Sequence, residues 1–508
     1  MKYLRSLAAR SIDSKIGEQI MHYAVGLLYH DKLRHALFRA TGLVALLFVR
    51  SGRRHGRSAR IDREREIFAM AVLETMDRLV SKRAMSRHSM EVAGSLWARA
   101  LVGSEHNEAR RQFLAEKGVE PPWVLVTAPT GACNLSCPGC YAGSSVTGPG
   151  MPFTELDRLL EEAKRLWGIK VAVFSGGEPL LYRSESKDVL DLIERHPDLL
   201  CLIFTNGTLI DRNVARRLAA IGTTTPALSV EGLEETTDAR RGPGAFKKVM
   251  EAISELRDAG VQTGVSMTVT RDNCEEILSD EFLDFFFIEN SMLYGFLFQY
   301  MPEGRNPDPT LMPTPEQRLW MWERTWEVME KKGIFLIDFW HHGTLVGGCV
   351  GAGRERGYLY VDWDGNVMPC VFAPYVAGNI HEAHARGETL SDIWSSPLLA
   401  RIREWQCLTT SRGALEGAGG AGQLVRACPI RDHYADFREM VLRSQAPPVS
   451  QSAGSCLSNP GFTQQMIDYG QDFADLSRPV LEAEYDGHRK LFEKSKLTGP
   501  WRPLPPKA

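Results

Sequence analysis

Between residues 123 and 338 the chain alternates two patterns. Short, nearly continuous apolar runs occur at WVLVTA (123–128), KVAVFSGG (170–177), LCLIFTNG (200–207), TPALSVEG (225–232), VQTGVSMTVT (261–270), YGFLFQY (294–300) and GIFLID (333–338). Among them lie segments whose apolar residues return every three to four positions: FTELDRLLEEAKRLW (153–167), SKDVLDLIERH (186–196), DRNVARRLAAI (211–221), AFKKVMEAISELRDAG (245–260) and PEQRLWMWERTWEVMEKKG (315–333). A strand buried on both faces needs apolar residues throughout, whereas a helix laid on a sheet needs one apolar stripe. The alternation predicts an α/β fold: a parallel sheet covered by helices, about six units forming a partial (β/α)6 barrel of the TIM type. Ligands of such a sheet bind at the C-terminal ends of its strands.

The flanking regions read differently. Residues 1–118 show only helical spacing, as in IGEQIMHYAVGLLYHDKL and REREIFAMAVLETMDRLV, and predict an all-helical N-terminal domain that binds substrate or a membrane surface. VEPP (119–122) is a natural hinge into the barrel, 119–338. Residues 339–460 form a Cys-rich C-terminal extension, in which LYVDWDGNVMPC predicts a hairpin turning at Asp364–Gly365. Residues 461–508 read as a C-terminal helix and a Pro-rich, disordered tail.

Composition narrows the class. With 508 residues, 44% hydrophobic and 24% charged, the chain is an ordinary globular protein. A net charge of −3 argues against a general nucleic-acid binder, and no nucleic acid is expected as a partner. Ten cysteines are too few for a secreted disulfide scaffold, and the N-terminus shows no signal peptide, so a reducing cytoplasmic location is expected. The longest apolar stretch, ALFRATGLVALLFV (36–49), contains Arg39 and is too short to span a bilayer. The basic run after it, Arg50, Arg53, Arg54, His55, Arg57 and Arg60, has two readings. It is the charged end of a core helix, or it places an interfacial helix peripherally on the inner face of the membrane.

Cys133, Cys137 and Cys140 follow the first strand in the spacing C-x3-C-x2-C. Three thiolates can hold three irons of a 4Fe–4S cubane and leave the fourth open to a ligand. A zinc ion completed by a distant residue fits the spacing equally well. One β/α unit later, Ser175–Gly176–Gly177–Glu178–Pro179 closes the second strand with two glycines that let a ligand approach the backbone, beside a carboxylate.

Together with TNG (205–207) and SVEG (229–232), these motifs resemble the radical S-adenosylmethionine superfamily across the whole barrel. The resemblance implies a 4Fe–4S cluster on Cys133, Cys137 and Cys140 that reductively cleaves S-adenosylmethionine, yielding a radical that abstracts hydrogen from an unactivated carbon. It further implies that Gly176, Gly177 and Glu178 contact the methionyl amino group. Thr205 and Asn206 would line the nucleoside pocket, and Ser229 and Glu231 would sit near the ribose and carboxylate. Arg240 or Arg241 would pair with the methionyl carboxylate. An electron donor such as flavodoxin or ferredoxin is implied as partner. One position departs from the family pattern: the aromatic residue expected before the third cysteine is Gly139, and Tyr141 follows instead, which bears on Tyr141 as the adenine-packing residue.

Downstream, Cys349, a hairpin and then G-x4-C ending at Cys370 resemble the start of the auxiliary-cluster extension called SPASM. The five cysteines there are too few for two further clusters, so one auxiliary 4Fe–4S cluster is expected, on Cys349, Cys370, Cys428 and Cys456, with Cys407 read as core. Structural zinc on the same four is the alternative. Gln299, Tyr300 and Arg305, with Trp340, His341 and His342, are substrate-side candidates. Auxiliary-cluster enzymes of this superfamily often modify ribosomal peptides, yet the helical N-terminus with its apolar segment favours a lipid hydrocarbon chain as substrate. The two readings are therefore lipid modification, with C–C coupling as one form, and modification of a peptide or protein by thioether, C–C crosslink or oxidation.

Overall fold

The structure, a computed structural model, describes residues 25–28, 30–51, 58–102, 104–355, 357–411 and 424–486. Its centre is a ten-stranded sheet. Seven strands run parallel: β1 (Val124–Thr127), β2 (Val171–Phe174), β5 (Leu200–Thr205), β6 (Thr224–Val230), β7 (Gly264–Val269), β8 (Gly295–Gln299) and β9 (Leu336–Asp338), in that order across the sheet. A separate hairpin, β3 (Arg183–Ser184) with β4 (Lys187–Asp188), stands outside it. This partial barrel is the α/β architecture that the alternating pattern predicts. Several strands are shorter than their apolar runs. β2 stops at Phe174 because residues 175–178 leave the sheet to pack on the loop after β1.

Helices close over the sheet as their stripes require. Phe153–Trp167 buries Phe153, Leu156, Leu159, Leu160, Ala163 and Trp167, and ends on Gly168 in the left-handed conformation. Pro315–Lys332 starts with a capping box between Thr314 and Gln317. The periodicity at 186–196 overreaches by three residues at its start and one at its end: the helix there is Val189–Arg195, capped by Asp188, and the preceding residues form the β3–β4 turn. Glu234–Arg241 is a helix that polar composition hid, since only Thr237 of it is buried.

The Cys-rich extension joins the barrel rather than standing apart from it. β10 (Tyr358–Val361) pairs in parallel with β1, in register Val124↔Tyr358 to Thr127↔Val361. β11 (Asn366–Met368) returns antiparallel across the turn at Gly365, and β12 (Gly378–Asn379) follows. The first strand, which carries the cysteine loop, therefore has a neighbour on each side.

At the N-terminus, Asp31–Ser51 and Ala59–Ser81 are helices, and the second packs on Pro315–Lys332. Arg60, read as part of a membrane-facing basic run, is committed elsewhere: Nε donates to Glu64 at 3.0 Å and Nη1 to Glu484 at 3.2 Å. Arg53, Arg54, His55 and Arg57 lie outside the described residues, as does the tail after 486. Among the described residues no helix is long and apolar enough to cross a membrane.

Behind the sheet, Arg318 and Asp432 form a wholly buried ion pair at 2.7 Å, with Phe473 stacked 3.5 Å from the guanidinium. Asp432 also accepts the Cys428 N–H at 3.2 Å, which ties the ion pair to a cysteine loop. Replacing Asp432 by Ala would strand Arg318 as a buried charge. Chemical denaturation should register a loss of about 3–5 kcal/mol; a loss under about 1 kcal/mol would show that the pair does not carry the extension's attachment.

Candidate active site

The loop leaving β1 holds Cys133, Cys137 and Cys140 and has no helix or strand of its own. Its shape comes from backbone bonds: Cys133 N–H to the Ser145 carbonyl (2.8 Å), Gly131 N–H to Pro149 (2.8 Å) and Gly143 N–H to Cys140 (3.1 Å). The segment after β2 presses against it. Gly177 N–H donates to the Thr130 carbonyl at 3.0 Å, and Glu178 N–H to the Ala132 carbonyl at 2.7 Å. No side chain fits between them. A Cβ on Gly177 would lie 2.1 Å from the Ala132 oxygen, and one on Gly176, with φ +103°, 2.4 Å from Ala128 Cβ.

The three thiols are half-buried and line one cavity of about 440 Å³ at the C-terminal ends of the strands. Burial raises the Cys133 pKa, and Glu178 and the other two thiols add to the rise. Among the described residues no three His, Cys, Asp or Glu side chains converge tightly enough to share one metal ion. A single zinc needs all its ligands within about 2.3 Å of one point, whereas each cysteine of a cubane takes its own iron. Thiols spread around one cavity, with a backbone cradle that admits no Cβ beside them, fit the cluster.

Most of the sequence-derived pocket residues meet in this cavity: Tyr141, Gly176, Gly177, Glu178, Thr205, Asn206, Ser229, Arg240 and Arg241 all line it. Glu178 is buried and already bonded. Its carboxylate accepts from Thr205 Oγ1 (2.7 Å), Asn206 N–H (2.8 Å) and Leu180 N–H (3.1 Å), tying the end of β2 to the end of β5. Burial raises its pKa, against these bonds. Asn206 Nδ2 donates to Asn134 Oδ1 at 2.9 Å and lies 3.9 Å from Cys133 Sγ. Tyr141 reaches across to bond Ser175, and its oxygen accepts the Gly176 N–H at 3.3 Å. Ser229 meets Ser266 at 3.3 Å.

Glu231 is a correction. It is fully buried and does not line the cavity. Its carboxylate receives Arg240 Nη1 at 2.7 Å and Arg241 Nε at 2.8 Å, and accepts the Thr268 N–H at 3.1 Å. Its work is to hold two arginines at the cavity wall. Burial opposes the charge on Arg241, but Glu231 and the Cys137 and Cys140 thiols outweigh it and raise its pKa.

The far wall is apolar: Val126, Val173, Leu202, Phe204, Phe296, Phe298, Phe339 and Phe372. Phe204 meets Phe298 at 5.3 Å, and Phe298 meets Phe339 at the same distance. The sequence reading missed these side chains, although alternate positions of VLVT, VAVF, LIF and FLF carry the signal. Among the substrate-side candidates, Gln299 and Tyr300 line the cavity, while Arg305, His341 and His342 do not. His341 and His342 are core residues, bonded to Asp338 through Nδ1 at 2.9 Å and through the Asp338 N–H at 3.2 Å. Burial holds the His342 pKa down to about 4.

Cys349, Cys370 and Cys428 line a second, smaller cavity of about 40 Å³, together with Trp340 and Tyr358. Cys349 Sγ accepts the Gly351 N–H at 3.4 Å, and Cys370 Sγ the Phe372 N–H at 3.2 Å. N–H donors of this kind stabilise thiolates and tune clusters. Burial raises the pKa of each thiol, to about 12 for Cys428. Cys456 is not with them: it is buried in the helix Gln451–Ser458, within electrostatic reach of Glu303. Cys407 is exposed, not core; it opens the π-helical turn Cys407–Ser411 just past Gln406, whose side chain reaches the Gly351 carbonyl at 3.2 Å and the Cys349 thiol. Arg354 acts electrostatically on both Cys349 and Cys407.

Comparison with known proteins now fits this geometry. Residues 127–280 match the radical SAM superfamily, and residues 349–414 match SPASM, an iron–sulfur cluster-binding domain. The mycofactocin maturase MftC of Mycolicibacterium smegmatis is 30% identical over 326 residues, 60% of this chain and 77% of that protein. The AdoMet-dependent heme synthase of Methanosarcina barkeri is 28% identical over 325 residues, 58% of this chain and 88% of that protein. The structure of Streptococcus suis SuiB bound to precursor peptide SuiA aligns with TM-score 0.49 and 18% identity, over 64% of this chain and 75% of that one. The chain belongs to the radical S-adenosylmethionine superfamily and carries a SPASM domain. It is an enzyme that uses S-adenosylmethionine, a radical 4Fe–4S cluster and an auxiliary 4Fe–4S cluster.

Two outcomes follow. Gly177→Ala should displace the cysteine loop and lower the iron bound per chain, with a near-native circular dichroism spectrum; full iron loading would refute the close-approach argument. Glu303, after β8, is a half-buried carboxyl whose pKa desolvation lifts to about 8. Since the folded value exceeds the unfolded one, the folded chain holds the extra proton, and stability falls as pH rises through the window between about 4.3 and that folded value. Glu303→Gln should flatten the fall in Tm between about pH 6 and pH 8.5, and parallel Tm curves would count against that burial.

Proposed function

We propose that this enzyme abstracts hydrogen from an unactivated carbon of a peptide or protein side chain, leading to a thioether, a C–C crosslink or an oxidised residue. The observation that carries the reading is the cavity's lining, which combines the three thiols and polar strand-end residues with a large apolar and aromatic surface. A maturase among the relatives supports it, and the relatives reported above favour it over the lipid chain that the helical N-terminus suggested. A second reading, a tetrapyrrole substrate, draws on the heme synthase. The wall argues against it: among the described residues the cations lining the cavity are Arg240 and Arg241, and Glu231 together with one methionyl carboxylate takes up both, so none is left for a porphyrin's carboxylates.

In this reading Cys133, Cys137 and Cys140 hold the radical cluster. Reduced by a flavodoxin or ferredoxin, the bound group supplies the cleavage of S-adenosylmethionine and hence the hydrogen-abstracting radical. Gly176 and Gly177 present bare backbone to the methionyl amino group, where a side chain would collide with the loop. Arg240 and Arg241 offer guanidinium forks to the methionyl carboxylate, aimed by Glu231. Thr205, Asn206 and Ser229 face the nucleoside, with Tyr141 bracing the strand end behind it. Phe204, Phe296, Phe298 and Phe339 exclude water and orient the substrate carbon. Cys349, Cys370 and Cys428 hold the auxiliary cluster, with Cys407 as fourth ligand in place of Cys456.

Anaerobic protein given dithionite and S-adenosylmethionine should form 5′-deoxyadenosine faster with candidate peptides than with lipid extract or a porphyrin. Stimulation by lipid alone, or by porphyrin alone, would replace the peptide reading with the corresponding one. For the auxiliary site, Cys407→Ala should lower bound iron as Cys349→Ala does, while Cys456→Ala should leave iron unchanged. The reverse order would return Cys456 to the ligand set.

A further inference from the structure

Arg305 is unexplained by the pocket. Sequence pattern placed it on the substrate side, yet it does not line the cavity. It ends the segment 300–305, YMPEGR, which leaves β8 and lies back across the cysteine loop. The contact is close enough to need glycine on both sides. A Cβ on Gly304, with φ +77°, would lie 2.3 Å from the Cys140 and Tyr141 oxygens, and one on Gly139, with φ +60°, 2.6 Å from the Tyr300 ring. Arg305 then engages three carbonyls of the loop. Its N–H donates to Cys140 at 2.9 Å, its Nη1 to Cys137 at 3.0 Å, and its Nη2 to Ser144.

Two of those carbonyls belong to thiol-bearing residues, and the third closes the loop behind them. No carboxylate lies within ion-pair distance of Arg305 among the described residues. A guanidinium with no paired anion, fixed by a forked set of hydrogen bonds, is a permanent positive charge beside the loop. Adding an electron to a cluster adds negative charge, which a fixed cation nearby favours. We infer that Arg305 is a positioning residue for the radical cluster: it locks the backbone of Cys137 and Cys140 in the cluster-accepting shape, and its charge raises the cluster's reduction potential. This rests on the assignment of that cluster to Cys133, Cys137 and Cys140.

The test compares Arg305→Gln with Arg305→Lys, each reconstituted anaerobically as the full chain. Iron is counted, and the radical cluster's reduced EPR signal, recognised by its change on adding S-adenosylmethionine, is titrated against potential. The expected result is a fall in iron for both variants, because neither keeps the fork. The midpoint potential should fall in Arg305→Gln and stay near wild type in Arg305→Lys. Full iron loading in both variants would overturn the clamp, and an unchanged potential in Arg305→Gln would overturn the electrostatic role. If a variant unfolds, its Tm will show it, and the Lys–Gln difference in potential among the folded fraction still decides the electrostatic question. Cys137→Ala is the control for the premise. Survival of the S-adenosylmethionine-sensitive signal in that variant would remove the cluster from these cysteines, whatever the Arg305 variants do.

Discussion

The site depends on one constraint: a loop without secondary structure must hold three thiols around one space. An irregular loop cannot do this from within, because its backbone groups have no ladder to satisfy them. Here the partners come from three directions. The loop's own return supplies Ser145 and Pro149 carbonyls, the end of β2 supplies the Gly177 and Glu178 N–H groups, and the segment after β8 supplies Arg305. Each contact runs backbone to backbone, or guanidinium to backbone, at distances that a Cβ would destroy at Gly139, Gly176, Gly177 and Gly304. The glycines are therefore conditions of the site, not of the strands that precede them.

A second layer holds the holders. Glu178 bridges β2 to β5 through Thr205 and Asn206, and Glu231 at the end of β6 aims Arg240 and Arg241. Both carboxylates are buried, so their bonds act with little competition from water. Behind β8, Gln299 links the cavity wall to Asp338 on one side, at 3.0 Å, and to Arg431 on the other, while Asp432 pairs with Arg318. Cys428 begins the short segment that carries Arg431 and Asp432. The auxiliary cysteine loop and the wall of the main cavity thus share one buried polar network.

The extension's attachment gives that network its reach. β10 pairs with β1, and Cys370 follows β11, the next strand out, which runs antiparallel to both. Phe372, two residues after Cys370, lines both cavities and meets Tyr141 at 5.5 Å.

Much of this was legible along the chain. The alternating apolar and amphipathic segments determined the parallel sheet and its helices, because a doubly buried strand and a one-faced helix demand different periods. The cysteine spacing and SGGEP placed the main site, since its chemistry needs those residue types within a few positions of a strand end. Other matters were decided only by tertiary structure. Glu231 looks from sequence like a pocket residue, but the fold buries it beneath two arginines. Arg305 looks like a substrate contact, but the chain after β8 turns it onto a loop more than 160 residues earlier. Cys456 and Cys407 lie in unremarkable stretches, and only the fold buries the first within electrostatic reach of Glu303 and leaves the second exposed within reach of Arg354, which also acts on Cys349. Local spacing reports which face of an element is apolar; it cannot report which distant backbone that face will meet.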